Sequence, residues 1–153
     1  MTESSHSYDV TLAWPRDNLG LLSAPPRPDL VGGAPPQFGG SDSVWSPEHL
    51  LLSSASLCLM LTFVDLCRRE GVQVDDYRSQ THGTLGRTDL GMAFTRIDIR
   101  VALRAVDMPR AESLLLKAKS QCIISNSLRA PVEIEIVRGA RAALGETLAL
   151  QAA

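Results

Sequence analysis

Between Ser46 and Gly71 the sequence encodes a helix with signals at both ends. Ser46 offers a side-chain oxygen to the first free amides, Pro47 suits the first helical position, and Glu48 puts an acid in the opening turn. At the far end Arg68 and Arg69 stand where cations are favoured, and Gly71 supplies the stop. The middle, from Leu50 to Leu61, is apolar on most faces, so other elements must wrap it. The small residues from Ser53 to Ser56 allow close approach of backbone or of another helix. Serines, Thr62 and Asp65 interrupt the apolar stretch and make it a poor membrane span; the expectation is a core helix and no membrane.

The flanking segments read as strands. Residues 7 to 14 alternate polar and apolar and predict a half-buried strand. From Pro15 to Gly40 the chain is rich in proline and glycine, which forbids a regular helix and confines strands to edges. Short strands fit Leu19–Leu22 and Asp29–Val31. After Gly71, residues 76–86 and 93–106 read as two strands with a turn near Thr88–Gly91, and Ile97, Ile99, Val101 and Leu103 share one face. Asp107 is the predicted cap of a second helix, with Pro109 just inside it. Leu114, Leu115, Ala118 and Cys122 recur at helical spacing, and Ser125–Ser127 is expected to end the element. Residues 132–137 make a last strand. This order predicts an α+β fold, an antiparallel sheet wrapped on a central helix. The 153 residues suffice for one domain, 1–153, with 1–6 and 139–153 as tails.

Composition narrows the function. Fifteen Lys and Arg against 17 Asp and Glu give a net charge of -2, with no basic run, so nucleic acid is not an expected partner. The start lacks the basic and apolar regions of a signal peptide, and a soluble cytoplasmic protein is expected. His6, His49 and His82 show no metal-ligand spacing with cysteines or carboxylates. No dinucleotide or phosphate loop and no nucleophile elbow is found, so no cofactor is expected.

The three cysteines remain: Cys58, Cys67 and Cys122. An odd number argues against a secreted disulfide scaffold. Cys58 lies in the most apolar part of the long helix, where a thiol can simply pack as a small hydrophobe. Cys67 is about 13 Å further along and half a turn away, so it cannot bridge to Cys58 within an intact helix. Two helices on one sheet can bring Cys58 and Cys122 together, though spacing alone does not require it. Glu48 is about 15 Å of helix from Cys58. The two can share a site only through a partner chain or an irregular first turn; otherwise Glu48 is a helix-end acid favoured by the macrodipole.

The stretch Phe38-Gly39-Gly40, then Trp45-Ser46-Pro47-Glu48-His49-Leu50-Leu51-Leu52, then Ala55-Ser56-Leu57-Cys58, resembles the OsmC/Ohr family of osmotically inducible and organic hydroperoxide resistance proteins. Ala118-Lys119-Ser120-Gln121-Cys122-Ile123-Ile124-Ser125-Asn126 resembles that family's second cysteine block. The resemblance implies an intertwined homodimer with sites at the subunit interface. It implies a thiol peroxidase acting on organic hydroperoxides, with Cys58 as the attacking thiolate and Cys122 as the thiol that closes a disulfide. A dithiol such as a dihydrolipoyl group would restore the pair. Glu48 matches the family acid, which works with an arginine. Two departures stand out. No arginine lies between Pro28 and Cys58, leaving Arg27, or Arg16, to complete the site. The usual Cys-Pro-Val reads Cys122-Ile123-Ile124. These departures mark a divergent member. The competing reading is a non-peroxidase that binds a hydrophobic small ligand at the dimer interface, and Leu57, Leu61 and Phe63 suit a greasy molecule in either case.

Overall fold

The long helix forms as its end signals require. In the computed structural model, which describes residues 5–137, α1 runs Pro47–Arg69. The Ser46 hydroxyl accepts from the His49 amide at 3.2 Å and pairs with His49 Nδ1 at 2.8 Å. Gly71 takes φ +68°, and the Val72 amide returns to the Cys67 carbonyl at 2.8 Å, closing the helix. By its contacts the chain falls into two compact units that divide within α1, at Leu51 and Leu52. The expected tail from residue 139 onward lies outside the described residues, whereas Ser5 and His6 are exposed coil.

The first unit holds an antiparallel sheet of β1 (Thr11–Arg16), β2 (Leu19–Ser23) and β3 (Leu30–Gly33), in that order. Asp17, at φ +48°, turns β1 into β2, and the Trp14 indole N–H donates to its carbonyl at 2.8 Å. Here one expectation is corrected. The first strand begins at Thr11, not Ser7, and none of its residues is buried. Its alternation predicts a covered face, but among the described residues nothing covers it: Leu12 and Trp14 are 68% and 78% exposed. Pro15 sits in this edge strand, where a missing amide is tolerated. After β3, a short 3-10 turn at Pro36–Phe38 leads to Gly39 at φ +77°. A side chain on Gly40 would collide with the Ala34 backbone, which explains the glycine pair physically.

The second unit contains β4 (Val74–Thr88), β5 (Gly91–Ala105) and β6 (Val132–Ile136), in the order β4-β5-β6. β4 and β5 form a long antiparallel hairpin, closed at Thr88↔Gly91. β6 pairs with β5 in parallel, Ile97↔Val132 through Val101↔Ile136, so this sheet is mixed rather than antiparallel throughout. The reason is the connection: a strand reached through a helical crossover can lie parallel to the one before it. That crossover contains α2 (Met108–Gln121), capped by Asp107, whose carboxylate accepts from the Arg110 amide at 3.1 Å. Ile97, Ile99 and Val101 of β5, Leu59 and Phe63 of α1, and Leu115 of α2 form the buried centre. The Phe63 ring lies 5.6 Å from the Tyr77 ring, centroid to centroid. By length and composition α1 could cross a bilayer, yet one stripe of it, Ala55, Leu59, Phe63 and Leu66, is buried in this core. A second apolar stripe, Leu57, Leu61 and Val64, is exposed.

A further correction concerns the end of the second helix. α2 stops at Gln121, Cys122 is extended (ψ 110°), and a separate turn, α3 (Ile123–Asn126), follows. The sequence carries no proline to announce this break. The Cys122 side chain is fully buried, and Asn126 Nδ2 donates back to the Ser120 carbonyl at 3.1 Å, fixing the turn under the helix end.

Candidate active site

The break at Cys122 aims its thiol at α1. Cys122 Sγ lies 4.0 Å from the carbonyl oxygen of Ala55, one turn before Cys58. The Cys58 and Cys122 thiols are close enough for each to shift the other's pKa, and neither is in a disulfide. Ser125 Oγ donates to Cys122 Sγ at 3.2 Å. The Thr62 hydroxyl donates to the Cys58 carbonyl at 2.8 Å, one turn along α1. Cys58 is half-buried, whereas Cys122 has no exposure.

The two thiols are pushed in opposite directions. Burial raises Cys58, but hydrogen bonds from the Ile124 amide, the Cys122 thiol, the Ile123 amide and the Thr62 hydroxyl outweigh it, and its pKa falls below the ordinary 9.0. Burial raises Cys122 above 9.0; the Ser125 hydroxyl opposes this, and the neighbouring Cys58 adds to the rise. The arrangement therefore favours a thiolate at Cys58 and a neutral thiol at Cys122. A proline at position 123 could not donate an amide, so the departure at Ile123 adds a donor to the Cys58 sulfur. Cys67 is buried and burial alone raises it, which suits a packing role.

The remaining sequence candidates, Glu48, Arg27 and Arg16, belong to the first unit. α1 is helical from Pro47, so no irregular first turn shortens the rise of about 15 Å between Glu48 and Cys58. Glu48 Oε2 is buried without a hydrogen-bond partner. Arg27 is exposed, and its Nη1 donates to the Ala24 carbonyl of its own turn at 3.3 Å. Arg16 is exposed at the end of β1.

Sequence reasoning missed a set of hydroxyls on α1 and β4. Ser56 Oγ and Ser79 Oγ are 2.9 Å apart. On the same face of β4, Tyr77 Oη and Thr81 Oγ1 are buried without partners, and burial pushes the Tyr77 phenol up to about 12. The alternation Tyr77, Ser79, Thr81 was present as a signal, but it reads equally well as a solvent-facing stripe.

The sequence model of the OsmC-like protein family matches residues 40–137. The chain belongs to the OsmC-like family. Its curated relative YmaD of Bacillus subtilis, an uncharacterized protein, is 23% identical over 141 residues, which is 87% of this chain and 93% of YmaD. Among solved structures, an OsmC-like protein of unknown function from Vibrio cholerae superposes with a TM-score of 0.81 at 18% identity, covering 87% of this chain and all of the other. The organic hydroperoxide resistance protein OhrB of Bacillus subtilis superposes with a TM-score of 0.66 at 16% identity, covering 86% of this chain and 98% of that one. At such identities the structural likeness speaks for the fold. In this OsmC-like chain the matched span runs from Gly40 to Val137 and includes α1, both thiols of the pair and β6.

Proposed function

We propose that this OsmC-like protein is a thiol-dependent peroxidase that reduces organic hydroperoxides to alcohols. The observation that carries the reading is the pair itself: two neighbouring free thiols, one favoured as thiolate and the other held neutral. The Cys58 thiolate attacks the outer oxygen of a hydroperoxide ROOH. The O–O bond breaks, ROH leaves with a proton from solvent, and Cys58 becomes a sulfenic acid. Cys122 then attacks that sulfur, its proton leaves with the hydroxyl as water, and a Cys58–Cys122 disulfide forms. An external dithiol, of the dihydrolipoyl kind, returns both thiols and is itself oxidised to a disulfide.

Three features support a homodimer as the working unit. β1 is exposed along its length, α1 leaves the stripe Leu57, Leu61 and Val64 uncovered, and one oxygen of Glu48 is buried without a donor. In the proposed dimer an arginine, Arg27 or Arg16, answers Glu48 across the interface. The stripe beside Cys58 would meet the organic part of the peroxide. That same stripe favours the second reading, an apolar ligand held at the interface without chemistry.

Consumption of cumene hydroperoxide in the presence of dihydrolipoamide separates the two readings. Wild-type protein turns over, Cys58→Ser does not, Cys122→Ser stops after one equivalent, and Cys67→Ala retains the wild-type rate. Turnover that survives Cys58→Ser overturns the peroxidase. Iodoacetamide trapping gives the pH test: thiolate reactivity at Cys58 rises with pH and reaches half its maximum below the ordinary 9.0. A midpoint at or above that value removes the basis for a poised thiolate.

A further inference from the structure

Among the described residues, Ser125 is the one whose hydroxyl donates to the second thiol. Its Oγ donates to Cys122 Sγ at 3.2 Å, and Cys122 Sγ faces the Ala55 carbonyl at 4.0 Å, one turn before Cys58. Ser125 is also part of the wall of an open groove of about 340 Å³, shared with Leu116, Lys119, Asn126, Leu128 and Arg129. Cys122 itself has no exposure. Ser125 therefore stands between a sealed sulfur and solvent.

We propose that Ser125 is a positioning residue for Cys122, whose hydroxyl stabilises that sulfur when it becomes an anion and passes it a proton from the groove. The inference rests on the peroxidase reading for its place in the cycle. Cys58 is the more exposed sulfur of the disulfide, so an incoming thiolate attacks Cys58. A new S–S bond forms to Cys58, the old one breaks, and its electron pair goes to Cys122. That thiolate is born in a fully buried site, where an uncompensated charge is unfavourable. Ser125 O–H is already aimed at it. The proton transferred to Cys122 is replaced on Ser125 from water in the groove, and the second thiol of the reductant then displaces Cys58, closing the reductant's own disulfide. Ser125 has no part in the first step, where negative charge leaves Cys58. The titratable groups facing Cys122 are Cys58 from α1 and Tyr77 from β4; Cys58 is then in the mixed disulfide, and Tyr77 is not part of the groove wall from which the proton is drawn.

The test compares half-reactions in the full-length protein. With the disulfide preformed by diamide, reduction by dihydrolipoamide in Ser125→Ala should slow about tenfold, as expected on losing one hydrogen bond to a charged atom. The first oxidation step, formation of the Cys58 sulfenic acid by cumene hydroperoxide before the disulfide closes, should stay within about twofold of wild type, since no charge develops on Cys122 in it. Ser125→Thr, which keeps the hydroxyl, should restore the reduction rate. In the reduced protein the Cys122 13Cβ titration should move to higher pH in Ser125→Ala and return in Ser125→Thr. Equal slowing of both half-reactions would mean a merely structural role and overturns the proposal. So does an unchanged reduction rate with an unchanged titration. If wild-type protein ignores peroxide, the peroxidase reading fails alone, because disulfide reduction and the titration still report on Ser125. Should Ser125→Ala fail to fold, Ser125→Gly also removes the hydroxyl, and its reduction should likewise slow about tenfold, with an unshifted rate overturning the proposal.

Discussion

The chain contains two three-stranded sheets, and they use apolar residues in different ways. In β5 the alternation Ile97, Ile99, Val101 points into a core, and all three are fully buried. In β1 the alternation Leu12, Trp14 is just as regular, yet both side chains are mostly in water. The difference lies in what comes next in the sequence. β5 is followed by a helix with its own apolar stripe and then by a third strand, so its face is covered locally. β1 is followed by proline- and glycine-rich chain that has no such stripe to give. Regular alternation therefore specifies a strand with an apolar face, but says nothing about which molecule will cover it.

Ile99→Ala should have the largest effect. Removing a fully buried side chain should destabilise the chain by about 3 kcal/mol in urea unfolding, through lost transfer energy and the cavity left behind. A loss below about 0.5 kcal/mol, the range of ordinary surface changes, would mean that β5 does not hold the core. Trp14→Ala should leave the fold intact and act on association instead. If β1 is covered by a second copy, the dimer should weaken by about 2 kcal/mol, the range of an interface hot spot, read by sedimentation as a shift from twice the 16.5 kDa chain mass toward the single chain. An unchanged sedimentation profile would dissolve the contrast between the sheets. The smallest effect is expected at Tyr77, whose hydroxyl is buried without a partner. Tyr77→Phe should be neutral or stabilising by up to about 1 kcal/mol. It should also flatten the alkaline limb. With the folded pKa raised to about 12 from 10.0, wild-type stability is fully present below pH 10 and falls as pH rises toward 12. The phenylalanine variant should lack that slope in a pH series of denaturation midpoints.

The legible parts of the sequence were those with local physical signatures. Ser46, Pro47 and Gly71 state where α1 begins and ends, and Asp107 states the start of α2. The hairpin β4–β5 follows from two alternating runs and a short turn. Three things were not legible. The parallel pairing of β6 is a choice of register made by packing, and its five residues read the same in either direction. The break at Cys122 occurs without proline, through an extended residue held by the Asn126 and Ser125 side chains. The partner of Glu48 is invisible because its buried oxygen finds no donor among the described residues. The cysteine pair falls between these cases. Motif likeness singled out Cys58 and Cys122, but the hydroxyls that serve them come from Ser125 and Thr62, residues too common to stand out in a sequence.

The parallel pairing of β6 also bears on the order in which the molecule assembles. The β4–β5 hairpin joins near neighbours in the chain, whereas β6 reaches β5 only after the whole of α2 and α3 has been threaded between them. Contacts between distant residues carry the larger loop-closure penalty and form later. Cys122 rides on that late-arriving crossover, while Cys58 is on a helix that can form from local signals alone. A chain emerging during synthesis would thus display Cys58 well before its partner thiol is in place, and the thiol pair would be among the last features of the fold to mature.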